Sequence, residues 1–589
     1  MLREISLNGR WGFVIDPFNR GIWPNKYHER YPEGAGDLYS DFRDLLVEEV
    51  PVPGCWQLYR KEYKWYDRTA FYFKIFERPA LEDGQRAWLH FGGVSFRAQV
   101  WLNGKSVGII DCPYLPWDAD ITSFLETENF LVVRVEGAPT ADDTIPVFGW
   151  RNFAGLLRPV AIRVTGRQRL NRILVDSELR LKEGLGRMRL RVTRTAVDAE
   201  LSRANLSWTV RRGSAVWARG EAMLRARSTS WSGFTPWRHV DLWEPGHPNL
   251  YRLTLELRSQ AGDLLDREER QIGFRQFRIR GRRFFINGKR VWLRGINRHH
   301  LRPRTGMIFS RQALRSDFDL IQELGCNAVR LPHMPNDETV LDECDRRGLL
   351  TWVEVPAFWN ADFARPEVRR RLVSQVEGMV VRDYCHPAVV IWSVANEVAS
   401  DRPETLRAIS QAVRRLRRYD NERPVTFASL GFEPDKNLAM QVVDICSLNR
   451  YRGWYTPDVK KLVDELRAYA RVMHKPIVLS ETGAGAVAGK HGPPNERWTE
   501  EYQARVMEEI LHIAYRHAQG CFIWLLADFE DPSRVHSRIA RGFVNNKGLV
   551  SEDLKHRKMA FEVVKRLFEK IANAERAPRW SRTSPRPAG

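Results

Sequence analysis

A chain of 589 residues is too long for one compact core, and a domain size of ~100–200 residues divides it into three to five units. Hydrophobic residues at 43% and charged ones at 28% give a globular balance that excludes wholesale disorder. No apolar run approaches the ~18–20 residues needed to cross a bilayer, so no membrane partner is expected.

The formal charge of +20 invites a nucleic-acid partner. The 17 Lys and 76 Arg are interspersed with acids, however, and the densest runs, 369–371 and 414–418, fall on helix-like segments where a solvated face accounts for them. No nucleic acid is therefore expected, while the excess positive charge favours an anionic small molecule. From Met1 the sequence runs directly into strands and turns without an apolar leader, so no secretory signal is expected. The seven cysteines are widely spaced and never form a C-x-x-C pair. This pattern implies reduced thiols, a cytoplasmic location and no zinc.

In chain order, the first ~270 residues read as β throughout. Residues 97–102 alternate, and Asn103-Gly104 then signals a hairpin. Two tandem sandwiches fit the strand spacing, over 1–167 and 168–274. After Gly273 apolar strands alternate with amphipathic stretches such as 310–324 and 499–518. The strands are expected at 291–297, 327–331, 350–354, 389–396, 424–428, 445–449, 477–480 and 521–525. Eight such units over 275–576 predict a (β/α)8 barrel, followed by a Pro-, Ser- and Arg-rich tail, 577–589, expected to be disordered.

A barrel of this kind carries its chemistry at the carboxyl ends of its strands. Glu354 ends the third expected strand, Asn396 and Glu397 end the fourth, and Glu481 ends the seventh. Burying an unpaired carboxylate is expensive, so each must be solvated, paired or poised to react. Two carboxylates facing each other across one mouth are what glycoside cleavage requires, but spacing alone does not choose two from three. His299, His300, His333, Asn449, Tyr451, Tyr455 and Trp524 fall at the same mouth. A Trp face there suits a sugar ring, whereas Asn545-Asn546-Lys547-Gly548 by itself reads as a turn.

Several segments carry a family likeness: Gly92-Gly-Val-Ser-Phe, Trp101-Leu-Asn-Gly, Leu293-Arg-Gly-Ile-Asn-Arg-His, Asn327-Ala-Val-Arg-Leu-Pro-His and Trp392-Ser-Val-Ala-Asn-Glu. In this order the sequence resembles glycoside hydrolase family 2 from Ser6 to about Leu567. The resemblance implies a jelly-roll-like sugar-binding domain, an immunoglobulin-like β-sandwich and a catalytic TIM barrel. It implies that Glu397 is the acid/base, beside Asn396, and that Glu481 is the nucleophile.

Within the family the likeness is to β-glucuronidases. It rests on Ser447-Leu-Asn-Arg-Tyr-Arg-Gly-Trp-Tyr455, on Trp498-Thr-Glu-Glu-Tyr-Gln and on Asn545-Asn546-Lys547-Gly548. It assigns Asn545 and Lys547 to a uronic carboxylate, a match that charge-assisted hydrogen bonds explain, with Arg541 as a further basic residue. Asn152 is implied as a contact from the first domain. The sequence departs from the pattern at Thr482, where Tyr is usual, at Val398, where Pro is usual, and at Gly149, where an Asp that recognises a sugar hydroxyl is expected. The short stretch 358–370 argues against a long lid over the aglycone.

The expectation is a retaining β-glucuronidase, a cytoplasmic homo-oligomer acting on glucuronide small molecules or oligosaccharides without metal or organic cofactor. A β-galacturonidase or β-galactosidase is the alternative within the family, and a carbohydrate-binding protein without catalysis the alternative outside it.

Overall fold

Asn103 and Gly104 both take positive φ, 52° and 75°, the backbone of a two-residue turn whose twist suits a hairpin. They join Arg97–Leu102 to Lys105–Ile110 as the alternating sequence predicts. The structure is a computed structural model that describes every residue except 20, 22–25, 30–46, 146–151, 197–200, 303–304, 309, 432, 532–542 and 577–589. The expected tail, Gly149 and Arg541 therefore lie outside the described residues.

The hairpin belongs to a six-stranded antiparallel sheet that faces a four-stranded one. Inward residues of both, including Trp11, Phe13, Leu89 and Val133, form the core of this first sandwich. A second sandwich follows from Gln168 to Ile272, with Leu190, Leu206, Leu253 and Phe274 in its own core. A three-stranded antiparallel ribbon over 277–291 comes next and packs Phe277, Phe284 and Ile286 against the barrel core. The first barrel strand consequently begins at Leu293, and the apolar residue Val291 ends the ribbon instead.

The eight barrel strands are β1 (Leu293–Asn297), β2 (Ala328–Leu331), β3 (Leu350–Glu354), β4 (Val389–Asn396), β5 (Val425–Ser429), β6 (Cys446–Asn449), β7 (Ile477–Thr482) and β8 (Gly520–Ile523). All pair in parallel, and β8 closes on β1. The described helices are α1 (Arg311–Glu323), α2 (Glu338–Arg347), α3 (Pro366–Asp383), α4 (Pro403–Arg417), α5 (Lys461–Val472), α6 (Glu500–His517) and α7 (Met559–Arg576). Ser310 and Thr499 cap α1 and α6, their hydroxyls accepting from Ala313 and Tyr502.

Between β5 and β6, among the described residues, a 3-10 helix at Leu438–Val442 stands in place of an α-helix. The preceding stretch holds Gly431 and Pro434 and no helical apolar period. All seven cysteines are free thiols. Among the described residues no helix is long and apolar enough to cross a membrane. The Arg runs on α3 and α4 are largely ion-paired, Arg370 to Glu367 at 2.9 Å and Arg415 to Glu377 at 3.1 Å.

Candidate active site

The strand register breaks where the chemistry was expected. Shifts occur between Ser393 and Asn396 in β4, Leu448 and Asn449 in β6, and Leu479 and Thr482 in β7. Bulges of this kind re-aim side chains at barrel rims. Glu397, His333 and Trp359 also take positive φ (52°, 74° and 53°), a costly backbone for non-glycine residues that surrounding contacts must hold. At Glu397 the holding contact is its N–H, which donates to the Ala428 carbonyl at 2.7 Å.

Arg330, wholly buried at the end of β2, organises the floor. It forks onto Glu354 through contacts of 2.9–3.2 Å and donates to Glu481 Oε1 at 2.6 Å. It also donates to Asn396 Oδ1 at 2.9 Å and Asn297 Oδ1 at 3.1 Å. Glu354 accepts further bonds from the His333 N–H and the Ser393 hydroxyl, both at 2.9 Å. Burial pushes its carboxyl up, but Arg330 and His333 outweigh this and hold it at about 2. Glu354 is thus a fixed anion that pairs and orients Arg330. Of the three carboxylates that spacing left open, Glu397 and Glu481 line one cavity, while Glu354 is wholly buried against Arg330.

Glu481 accepts from the Tyr451 hydroxyl at 2.7 Å on its second oxygen. Glu397 has one oxygen held by Asn449 Nδ2 at 2.7 Å and the other by Trp359 Nε1 at 3.0 Å. Burial, and then the nearby negative charge of Glu481, raise the Glu397 carboxyl above the ordinary range. Asn449 is itself aligned by Ser480, whose hydroxyl donates to Asn449 Oδ1 at 2.7 Å.

Both acids open into a cavity of about 390 Å³, lined also by His333, Asn396, Asn449, Tyr451, Tyr455, Trp524 and Asn545. His299 and His300 lie behind this lining. His299 stacks on Phe529 at 4.2 Å and on His300 at 4.6 Å, and turns its edge to Trp524. Burial pushes both imidazoles well below their usual range, so they are neutral packing groups. The layer continues into the first sandwich, where Cys55, Phe96, Tyr114 and Phe153 pack with Trp524 and Phe529. Asn152 donates its amide to the Gly137 carbonyl and is absent from the cavity lining among the described residues.

Lys547 is 6% exposed, its ammonium 5.2–5.7 Å from the ring centres of Tyr455, Tyr451 and Trp454. Tyr451, Tyr455 and its loop neighbour Asn545 line the cavity, whereas Lys547 itself is not among the lining residues described. Its N–H donates to Asn545 Oδ1 at 3.4 Å. A buried ion pair pins the loop, with Lys558 donating to Asp528 at 2.8 Å and to the Asn546 carbonyl at 3.0 Å. Gly548 is required there, since a Cβ would sit 2.2 Å from the Asp528 nitrogen.

Residues 277–573 match the TIM barrel domain of glycosyl hydrolases family 2. Residues 42–146 match the glycosyl hydrolase 2 galactose-binding domain-like family, and 188–275 match glycosyl hydrolases family 2. The chain belongs to glycoside hydrolase family 2. It is a glycosyl hydrolase, β-glucuronidase-like in sequence. The β-glucuronidase of Paenibacillus borealis is 28% identical, over 90% of this chain and 91% of that protein. The human β-glucuronidase is 28% identical, over 98% and 90%. Among solved structures, the family 2 β-galacturonidase of Eisenbergiella tayi bound to galacturonate matches with TM-score 0.82 and 28% identity, covering 96% of this chain and 97% of that one. The Ruminococcus gnavus β-glucuronidase matches with TM-score 0.85 and 25% identity, covering 96% and 97%.

Arg330, Trp359 and Asp531 are site residues that sequence reasoning missed. Arg330 left a signal: a charged residue inside Ala328-Val-Arg-Leu needs acid partners, and three carboxylates were already expected at the strand ends.

Proposed function

We propose that this family 2 hydrolase cleaves β-D-glucuronides with retention, by double displacement. The observation that carries the reading is the division of labour among the three acids. Glu354 is tied up by Arg330, Glu397 is raised toward its protonated form, and Glu481 lies between an Arg and a Tyr. In the first step Glu481 attacks the anomeric carbon while Glu397 gives its proton to the departing oxygen, leaving a glycosyl ester on Glu481. Ester formation removes the charge that helped raise Glu397. Its carboxylate then takes a proton from water, the water oxygen bonds to the anomeric carbon, and Glu481 departs as carboxylate.

Lys547 and Asn545 support a uronic acid over a neutral sugar, since a carboxylate answers their donors by charge-assisted hydrogen bonds. The β-glucuronidase relatives point the same way. A β-galacturonidase is the second reading, favoured by the likeness to the Eisenbergiella tayi enzyme. Cytoplasmic residence, resting on seven free thiols, and self-association belong to the same proposal. The test is a panel of aryl β-glucuronide, β-galacturonide and β-galactoside under identical conditions, followed by NMR of the first-formed sugar. The glucuronide should be the best substrate and yield the β-anomer. Preference for the galactoside overturns the uronide reading, and a first-formed α-anomer overturns retention.

A further inference from the structure

After β8 the chain forms a short antiparallel ribbon. Phe529 pairs with Asn545 and Glu530 with Val544, and the Asp531 N–H extends the pairing by donating to the Phe543 carbonyl at 2.7 Å. Side chains alternate across such a ribbon, so Phe529, Asp531 and Asn545 share one face while Glu530 and Val544 take the other. Phe529, Asp531 and Asn545 all line the cavity that holds Glu397 and Glu481. Glu530 instead reaches Lys64 of the first sandwich at 2.8 Å. Asp531 is therefore a carboxylate delivered into the sugar cavity by register, only 2% exposed, and the double displacement gives it no part.

We propose that Asp531 is a specificity-determining residue that accepts a hydrogen bond from the sugar hydroxyl on C4, next to the carbon bearing the carboxylate. The inference rests on the uronide reading for its orientation. The anomeric carbon lies between Glu397 and Glu481, so C4 and C5 form the far edge of the ring. The C6 carboxylate goes to the corner made by Asn545 and Lys547, and Asn545 Nδ2 also donates to Asp531 Oδ2 at 3.4 Å. The neighbouring hydroxyl is then the donor within reach of Asp531. An ionised carboxylate only accepts hydrogen bonds, and a pyranose edge presents donors to it. A second anion beside the bound carboxylate is repulsive unless donors stand between the two, and a hydroxyl proton is one such donor. Asp531 thus trades raw affinity for selection at C4.

The test compares Asp531→Ala and the near-isosteric Asp531→Asn with wild type, on an aryl β-glucuronide and on its 4-deoxy analogue. For Ala, kcat/KM on the parent glucuronide should fall roughly 10- to 150-fold, the worth of one hydrogen bond to a charged group. On the 4-deoxy sugar it should stay within about 3-fold, because the lost partner was already missing there. Asn keeps one acceptor oxygen and should fall between. If both sugars fall by the same factor in both variants, or if the parent is unchanged or cleaved faster, the proposal is overturned. The uronide reading fails separately: wild type would then cleave an aryl galactoside and no uronide. In that event the same variants are run on the galactoside and its 4-deoxy analogue, where the same contrast is required.

Discussion

At the scale of single residues, the two open acids should separate by leaving group. Replacing Glu481 by Ala leaves no nucleophile, so turnover should vanish even on activated aryl glycosides. Replacing Glu397 by Ala should cost about 10²- to 10⁴-fold on poor leaving groups and distinctly less, in the glycosylation step, on a good one. Single-turnover kinetics on a leaving-group series checks this, and a flat series for both variants contradicts the assigned roles. Lys547 tests substrate charge. Lys547→Met retains most of the apolar stem inside the ring of Tyr451, Trp454 and Tyr455. Losing the charge should cost ~2–5 kcal/mol on a glucuronide, roughly 30- to 4,000-fold in kcat/KM, with weak activity on a neutral galactoside unchanged or raised. Equal losses on both sugars would mark Lys547 as a residue that only shapes its loop.

At the scale of elements, β2 shows what the sequence could and could not display. The eight strands were legible because each is a short apolar run between turns or amphipathic stretches, and the strand-end acids were legible because strand ends have a known use. Two things were hidden. The ribbon over 277–291 has no counterpart among the expected strands, the first of which, 291–297, shares only Val291 with it. The role of Glu354 was hidden because it depends on Arg330, 24 residues earlier, which register alone brings alongside. Asp531 was hidden for a similar reason: which face it takes follows from pairing with the segment at Asn545, beyond reach of local pattern. Arg330→Met tests the β2–β3 pairing. It leaves the wholly buried Glu354 without its charge partner and removes one of the partners of Glu481. Stability should fall by about 3–5 kcal/mol, read by chemical unfolding, and activity should be lost. A second substitution, Glu354→Leu, should recover much of the stability and none of the activity. If the single variant is as stable as wild type, the buried charge network is not what holds this floor.

At the scale of the whole molecule, the two sandwiches grip different ends of the barrel. The first meets the catalytic mouth, packing Phe96 and Phe153 with Trp524 and Phe529. The second holds the opposite face, where β4 begins. Arg275 donates to the Pro387 and Val389 carbonyls at 3.0 and 2.8 Å, and Trp243 Nε1 donates to the Asp345 carbonyl at 2.8 Å. Contacts at that lower face serve stability rather than chemistry. One ion pair there joins His386 to Asp345 at 2.6 Å, and the second Asp345 oxygen accepts from the Ala388 N–H at 2.8 Å. Burial alone would lower the imidazole, but Asp345 outweighs it, with Asp383 and Asp342 adding to the field, and lifts it from 6.5 to about 9. A histidine raised on folding stabilises fully below its unfolded value near 6.5, and that contribution is lost as pH climbs through 9. Wild type should therefore lose thermal stability across pH 6.5–9.5 more steeply than His386→Gln, which cannot carry the charge. The gap between their melting temperatures should be widest near pH 6 and mostly closed by pH 9.5, and taking the difference cancels other groups that titrate in both proteins. Activity of the variant at temperatures where it is folded should match wild type, since the pair lies at the face away from Glu397 and Glu481. A gap that stays constant with pH would show that His386 contributes packing and not charge.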